Sequence, residues 1–141
     1  MGLPSFGVDF ISVIVAAVAS MVVGSLWYSP LMFGNIWAKL MGFDKKEINS
    51  AKKKGMAKLY IVNFVASILM AYVLGYLIYF SDINLVSDGV MFGLLIWVGF
   101  FVPLLIGSSL WENKPVKLFF INVFYWLVTL VAMSSILTVW R

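Results

Sequence analysis

The stretch LYIVNFVASILMAYVLGYLIYF, residues 59–80, decides the fold of this protein. It contains no charged side chain, and it is long enough to cross the hydrocarbon core of a bilayer, which takes about 20 apolar residues in a helix. Three more stretches, about residues 10–28, 89–110 and 118–140, have the same character. Only helices and closed barrels cross a membrane, and these stretches lack the alternation of barrel strands. The sequence therefore predicts an all-α integral membrane protein with four transmembrane helices, arranged as two helical hairpins in one domain, residues 1–141.

The composition agrees with this prediction and bears on function. Of the 141 residues, 63% are hydrophobic and 11% are charged, whereas about a quarter of the residues in a soluble domain are charged. The chain has no cysteine and no histidine, so it lacks thiol chemistry and the commonest proton shuttle and metal ligand. No Asp, Glu, Lys or Arg lies inside a predicted span. We therefore expect no enzymatic activity, no cofactor and no metal site.

The basic residues predict the orientation of the chain in the membrane. Nine of the ten lie in the two segments that join span 1 to span 2 and span 3 to span 4, residues 29–58 and 111–117. Because basic loops stay in the cytoplasm, both segments are predicted to be cytoplasmic, with the N- and C-termini outside. The net charge of +4 therefore does not indicate nucleic acid. We expect these lysines to contact anionic lipid headgroups of the membrane.

The chain does not turn back directly after the first span. The stretch GSLWYSPLMFG, residues 24–34, breaks the helix at Ser29-Pro30, because proline has no backbone N–H to donate and restricts the residue before it. Apolar residues then recur in pairs four apart from Met32 to Met41, which is typical of a short amphipathic helix on a membrane surface. We expect this corner to offer a surface to a partner, formed by Trp27, Tyr28, Pro30, Phe33 and Trp37.

A second, more polar helix is predicted to follow the first. Asp44 and Glu47 have the spacing of a capping box, and the lysines of residues 52–54 precede a terminating Gly55. Together the two helices would form a cytoplasmic insertion over residues 31–55, between the first and second spans.

Two segments of the sequence resemble each other. GSLWYSP at the end of span 1 is echoed by SSLWENKP after span 3, and KLYIVN at the start of span 2 is echoed by KLFFIN at the start of span 4. A duplicated helical hairpin, giving an internal repeat with parallel copies, is the simplest account. A chance match in so biased a composition is the alternative.

The echo places Asn63 and Asn122 at the same depth in the membrane. Amides in hydrocarbon need hydrogen-bond partners, so the two would either bond to each other between helices or line a polar cavity open to the cytoplasm. A contact between helices is the commoner arrangement. Tyr125 and Thr129 are further candidates for this contact or cavity.

Three more residues near the middle of the spans need an explanation. Trp97 and Trp126 lie too deep for the interfacial belt of aromatic residues, so they either line a cavity or pack between helices, and packing is the commoner role. Pro103 has Gly99 and Gly107 four residues to either side, which predicts a kink in span 3, either a fixed bend or a hinge.

The motif W-Y-S-P-x-x-F-G over residues 27–34, with Trp37 after it, resembles the bacterial membrane family known as domain of unknown function 1761. The span with Pro103 that runs into Leu110, Glu112, Lys117 and Asn122 adds to the resemblance, which covers nearly the whole chain. It implies a small four-span protein of the bacterial cytoplasmic membrane. It implies no catalytic residue, because the family has no settled activity.

Two functions fit these observations. The first is a non-enzymatic structural or accessory subunit that acts through helix packing, as a homo-oligomer or together with other membrane-protein subunits. The alternative is a carrier or channel for small or apolar solutes, with its site between the helix pairs near Asn63 and Asn122. A water-accessible cavity that reaches both amides would favour the carrier.

Overall fold

Helices and the turns next to them make up the described part of this protein. The computed structural model describes residues 9–42 and 57–140, and within them no strand occurs. The elements are α1 (Phe10–Trp27), α2 (Gly34–Met41), α3 (Ala57–Phe80), α4 (Val86–Ile96), a π-helical turn (Trp97–Phe101), α5 (Val102–Trp111) and α6 (Val116–Val139). The predicted polar helix with its capping box, Asp44 and Glu47, lies outside the described residues.

Four helical stretches are long and apolar enough to cross a membrane. They are Phe10–Trp27, Ala57–Phe80, Val86–Trp111 and Val116–Val139, and each lies within one helical turn of its predicted bounds. The all-α fold with four candidate membrane spans is therefore confirmed. We call these stretches the first to fourth spans; the third consists of α4, the π-helical turn and α5.

The fourth span, α6, lies at the centre of the structure and contacts all the other described helices. Its buried residues Leu130, Met133 and Leu137 form the core with Val13 and Ala16 of α1 and with the second half of α3, which contributes Ala71, Leu74 and Ile78. The first half of α3 has no buried residue. The core thus occupies one half of the bundle, and α3 is largely exposed in the other half.

The two ends of the bundle differ in charge. The end of α1, the starts of α3 and α6 and the end of α5 lie together, and the described cations there are Lys39, Lys58, Lys114 and Lys117, with Glu112 as the described acid. The three described aspartates, Asp9, Asp82 and Asp88, lie at the opposite end. We call the first of these the lysine end.

The third span packs on α6 through two glycines. Gly89 and Gly93 are buried, and a Cβ on Gly89 would overlap Thr138 Oγ1, while a Cβ on Gly93 would lie 2.8 Å from Ser134 Oγ. Such small residues let two helix backbones approach closely, which drives helix association in a membrane. The contact fixes the position of α4 on α6.

Pro103 follows the π-helical turn of the third span. The backbone N–H of Val102 bonds to the carbonyl oxygen of Trp97, five residues earlier, instead of following the usual α-helical spacing. Proline cannot donate to the preceding turn and its ring collides with the carbonyl four residues before it. A π-helical turn is one of the recognised causes of a helix kink, and it lies just before the proline at which the sequence predicts a kink.

Candidate functional site

The corner after α1 is held by backbone hydrogen bonds within residues 27–34. The N–H of Phe33 donates to the carbonyl oxygen of Trp27 at 2.9 Å, and the N–H of Gly34 donates to that of Ser29 at 2.9 Å. Gly34 packs directly on the backbone of Tyr28 and Ser29, where a Cβ would overlap the Tyr28 carbonyl oxygen. Only glycine fits this position without a backbone shift, so the terminal glycine of the W-Y-S-P-x-x-F-G motif has a steric cause.

Two side chains of the corner bond to α6. The indole Nε1 of Trp27 donates to the carbonyl oxygen of Ile121 at 3.0 Å, and the phenol Oη of Tyr28 donates to Oδ1 of Asn122 at 2.7 Å. Hydrogen bonds between membrane helices contribute about 1 kcal/mol each. The two bonds tie the end of α1 to the start of α6.

Aromatic rings connect α2 to the same place. The ring of Tyr28 lies edge-on to that of Trp37 with centroids 5.7 Å apart, and 5.2 Å from that of Tyr125 on α6. The rings of Trp27 and Phe33 lie 4.8 Å apart. Burial raises the pKa of the Tyr28 phenol, and the nearby Tyr125 phenol raises it further.

We call this set of residues the aromatic corner: Trp27, Tyr28, Phe33, Trp37, Asn122 and Tyr125. It combines residues that the sequence predicted for two separate places, a partner surface and a polar contact between helices. Four of the predicted surface residues are half-buried and contact other residues of the chain, and the exposed residues of this segment include Pro30, Leu31 and Met32. One hydrogen bond, from Tyr28 to Asn122, joins two members of this set, and Trp27 donates to the neighbouring Ile121, so both bonds join the end of α1 to α6.

Asn63 and Asn122 do not meet, so the predicted amide pair is wrong. Asn122 accepts from Tyr28, while Nδ2 of Asn63 makes a weak contact of 3.5 Å with Sδ of Met21 on α1. Asn63 is exposed on α3, whereas Thr129 is fully buried on α6. The pairing fails because α6 turns Asn122 toward the corner after α1.

Trp97 and Trp126 pack between helices, which is the commoner of the two roles that the sequence predicts for them. The indole Nε1 of Trp97 donates to the carbonyl oxygen of Val123 on α6 at 2.7 Å. Trp126 lies against Phe101, with ring centroids 5.0 Å apart. Both contacts fasten the π-helical turn of the third span to α6.

The coupling between Tyr28 and Asn122 is measurable. We expect Tyr28→Phe and Asn122→Ala each to lower the free energy of unfolding, and the double variant to lose about 1 kcal/mol less than the sum, since the pair shares one hydrogen bond. Thermal and denaturant unfolding in mild detergent measure this. The matched control is Tyr28→Phe combined with Asn63→Ala, which should be additive; coupling there of equal size would contradict the assignment.

An apolar groove lies between α1 and α3. Its volume is about 590 Å³, it lies in the half of the bundle near the lysine end, and its lining is Val18, Met21, Val22, Ser25, Leu26, Tyr60, Ile61, Phe64 and Val65. The sequence does not predict this groove, because a run that is apolar on every side does not reveal where two helices diverge. Asn63 borders it through Met21.

The second half of the third span carries an unfilled face. Gly99 and Pro103 are exposed, and neither Gly99 nor Gly107 has another group within 4 Å of where a Cβ would stand. Of the most apolar 18 residues of this span only 11% are buried, compared with 33% in the fourth span. We call Gly99, Pro103 and Gly107 the open stripe.

The sequence of this chain matches a known protein family. The family model described as "Protein of unknown function (DUF1761)" matches residues 11–138, which is nearly the whole chain. No curated protein and no solved structure matches it.

Proposed function

The chain belongs to the DUF1761 family of proteins of unknown function, and we propose that it is a non-enzymatic subunit that acts by packing its third span against another membrane helix. The partner helix comes from a second copy of this chain in a homo-oligomer or from another membrane protein. The proposal concerns contacts within the bilayer, because the described residues outside the spans form little more than turns and the short helix α2.

The open stripe carries this proposal. Glycines spaced four apart let helix backbones come together in a membrane, as Gly89 and Gly93 do against α6 within the chain. Gly99 and Gly107 lie eight residues apart with Pro103 midway, and the Cβ positions of both glycines face open space. The span thus uses one set of small residues inside the chain and presents another to a neighbouring helix.

We further propose a bacterial cytoplasmic membrane, with the lysine end facing the cytoplasm. The support is the charge difference between the two ends, because basic residues next to spans stay on the cytoplasmic side. On this proposal α2 lies at the inner surface, where Leu31, Met32 and Ile36 present exposed apolar side chains to the interface.

The internal repeat remains a separate proposal with less support. The echoed tryptophans have different surroundings, since Trp27 bonds to α6 while Trp111 is 90% exposed. The echoed amides, Asn63 and Asn122, differ in the same way. A duplication would therefore have been followed by divergence of the two copies.

The carrier alternative predicts a polar cavity between Asn63 and Asn122. In the structure, the amide oxygen of Asn122 accepts a hydrogen bond from Tyr28, and Asn63 lies on an exposed face of α3 beside an apolar groove. The subunit proposal needs no such cavity. For this reason we prefer it.

Engineered cysteines test the subunit proposal without background, because the chain has none of its own. When native membranes are treated with an added oxidant such as copper phenanthroline, we expect Gly107→Cys to form a disulfide-linked species, either a dimer or an adduct with a cysteine of a partner that is identified by mass spectrometry. The matched control is Ala66→Cys, which places a thiol on an exposed position of α3.

Pull-down from native membranes supplies the second arm of the experiment. Gly99→Leu and Gly107→Leu should each lower recovery of the partner at least tenfold while the solubilised chain unfolds at its usual temperature, and Ala66→Leu should leave recovery unchanged. If the partner were recovered equally well with Gly99→Leu or Gly107→Leu and with Ala66→Leu, the proposal would be rejected.

A further inference from the structure

The groove between α1 and α3 forms where these two helices diverge. In the second half of α3 the side chains of Ala71, Leu74 and Ile78 are buried in the core, but in its first half Ile61 and Val65 are about 60% exposed. The groove therefore opens sideways, toward the bilayer, and begins at the lysine end. Its volume of about 590 Å³ falls within the range of ligand sites, about 300–1,000 Å³.

The lining of the groove is suited to hydrocarbon. Apart from the hydroxyls of Ser25 and Tyr60, which lie near the lysine end, every lining side chain is apolar. Tyrosine is enriched at the level of the lipid headgroups, so Tyr60 marks the depth at which the groove meets the membrane surface. The groove thus runs from the headgroup level into the hydrocarbon.

A cation stands at the mouth of the groove. Lys58 is exposed and lies three residues before Ile61 and seven before Val65, which places it on the same face of α3 one turn toward the membrane surface. The described aspartates are all at the other end of the bundle, and Glu112 belongs to the turn between α5 and α6. Among the described residues, the charge at the mouth is therefore positive and complementary to an anion.

We propose that this groove binds an anionic glycerophospholipid, with one acyl chain lying between α1 and α3 and the phosphate held by Lys58. The apolar lining solvates the chain, and the ammonium group of Lys58 pairs with the headgroup at the level of Tyr60. The site adds a specific lipid to the general attraction that lysines have for anionic membranes.

A helix of a second copy fits the same groove less well. Copies inserted in one membrane have the same orientation, so a second copy seated here would bring its own lysine end beside Lys58 with, among the described residues, Glu112 alone as a counter-charge. An anionic lipid instead neutralises this charge. The proposal is independent of the subunit function, because the open stripe lies on the third span and the groove lies between the first and second.

Native mass spectrometry of the full chain in mild detergent tests the proposal. The probes are phosphatidylglycerol and phosphatidylcholine with identical acyl chains, titrated separately. We expect one phosphatidylglycerol to bind more tightly than phosphatidylcholine. Lys58→Gln should weaken the binding of phosphatidylglycerol about fivefold and leave the binding of phosphatidylcholine unchanged. One lysine near the membrane surface contributes about 1 kcal/mol, which corresponds to about that factor in affinity.

Filling the groove supplies the second arm. Val65→Trp should lower the binding of both lipids, and its matched control is Val73→Trp on an exposed position of the same helix outside the groove lining. The control for charge is Lys117→Gln, which removes an exposed lysine at the same end of the bundle, on α6. Should Val65→Trp fail to fold, Val22→Trp fills the groove from α1.

Three results would overturn the proposal. Unchanged lipid binding in the groove-filled variants would place the lipid elsewhere. Equal effects of Lys58→Gln and Lys117→Gln would mean attraction to the whole lysine end and no site at Lys58. Disulfide-linked dimers of a Val65→Cys variant in native membranes would assign the groove to a second copy. The two proposals can fail separately: a variant can lose lipid binding and keep the contact at the open stripe, or lose that contact and keep lipid binding.

Discussion

Replacing Gly93 with leucine is expected to destabilise the protein by about 3 kcal/mol, the largest effect that its helix contacts predict for a single substitution. A Cβ at Gly93 would lie 3.1 Å from the carbonyl oxygen of Leu130, which is a backbone atom and has no rotamer to escape into. The leucine must therefore push α4 away from α6. That displacement also weakens the hydrogen bond from Trp97 to Val123 one turn further along.

Gly89 provides a milder version of the same test. A Cβ there would overlap Thr138 Oγ1 and lie 3.0 Å from Thr138 Cβ, so even Gly89→Ala should lower stability although alanine is the better helix former by about 1 kcal/mol. Thermal unfolding in mild detergent, followed by tryptophan fluorescence, measures the loss.

Gly107→Leu is the matched control for both glycines, because it makes the same change in the same span at a position with open space around it. Its effect on the unfolding of the monomer should stay within about 1 kcal/mol. If Gly107→Leu cost as much as Gly93→Leu, a general dependence on helix flexibility would explain the result, and close packing against α6 would not.

The sequence predicts the spans well and their inward faces poorly, for one physical reason. In water, polar residues mark the outer face of a helix, but in a bilayer both faces are apolar. Both glycine pairs of the third span therefore lie among apolar residues that do not indicate which face is inward, although Gly89 and Gly93 are buried against α6 while Gly99 and Gly107 have open space beside them. Only the structure distinguishes the two.

The candidate site shows the same limit. The break at Ser29-Pro30 follows from local chemistry, and the structure has a turn there. The bond from Tyr28 to Asn122 joins residues 94 positions apart, and nothing local selects Asn122 over Asn63 as the partner. The echo assigns both amides to one depth, but their partners Tyr28 and Met21 lie seven residues apart along the chain, and depth alone does not give the direction in which each helix turns its side chain.

Gly34→Ala is expected to release α2 from the aromatic corner. The new Cβ would overlap the carbonyl oxygen of Tyr28 and lie 2.7 Å from the backbone of Ser29, so relief requires the turn itself to open. Opening the turn moves Tyr28 away from Asn122 and Trp37, and the corner loses its hydrogen bond and its ring contacts together. We expect a cost of about 2 kcal/mol, within the range for overpacking.

Limited proteolysis with trypsin reads out this release, because Lys39 lies on α2. Cleavage after Lys39 tracks the population in which α2 is open, so about 2 kcal/mol corresponds to cleavage more than tenfold faster, identified by the mass of the fragment. Lys58, at the exposed start of α3, serves as the internal reference and should be cut at the unchanged rate.

Gly42→Ala separates release of the corner from simple weakening of α2. Gly42 ends the helix with φ of 82° and has no other group near its Cβ position, so alanine there is strained by about 1 kcal/mol but touches neither Tyr28 nor Trp37. Its effect should be confined to fraying of the last turn, with the Tyr28 to Asn122 coupling intact. Loss of that coupling in Gly34→Ala and its survival in Gly42→Ala would establish that Gly34 holds α2 on α6 by its contact with the turn. If both variants lost the coupling equally, α2 would be held through its C-terminal end at Gly42. The contacts of the aromatic corner would then result from the docking of α2 and would not cause it.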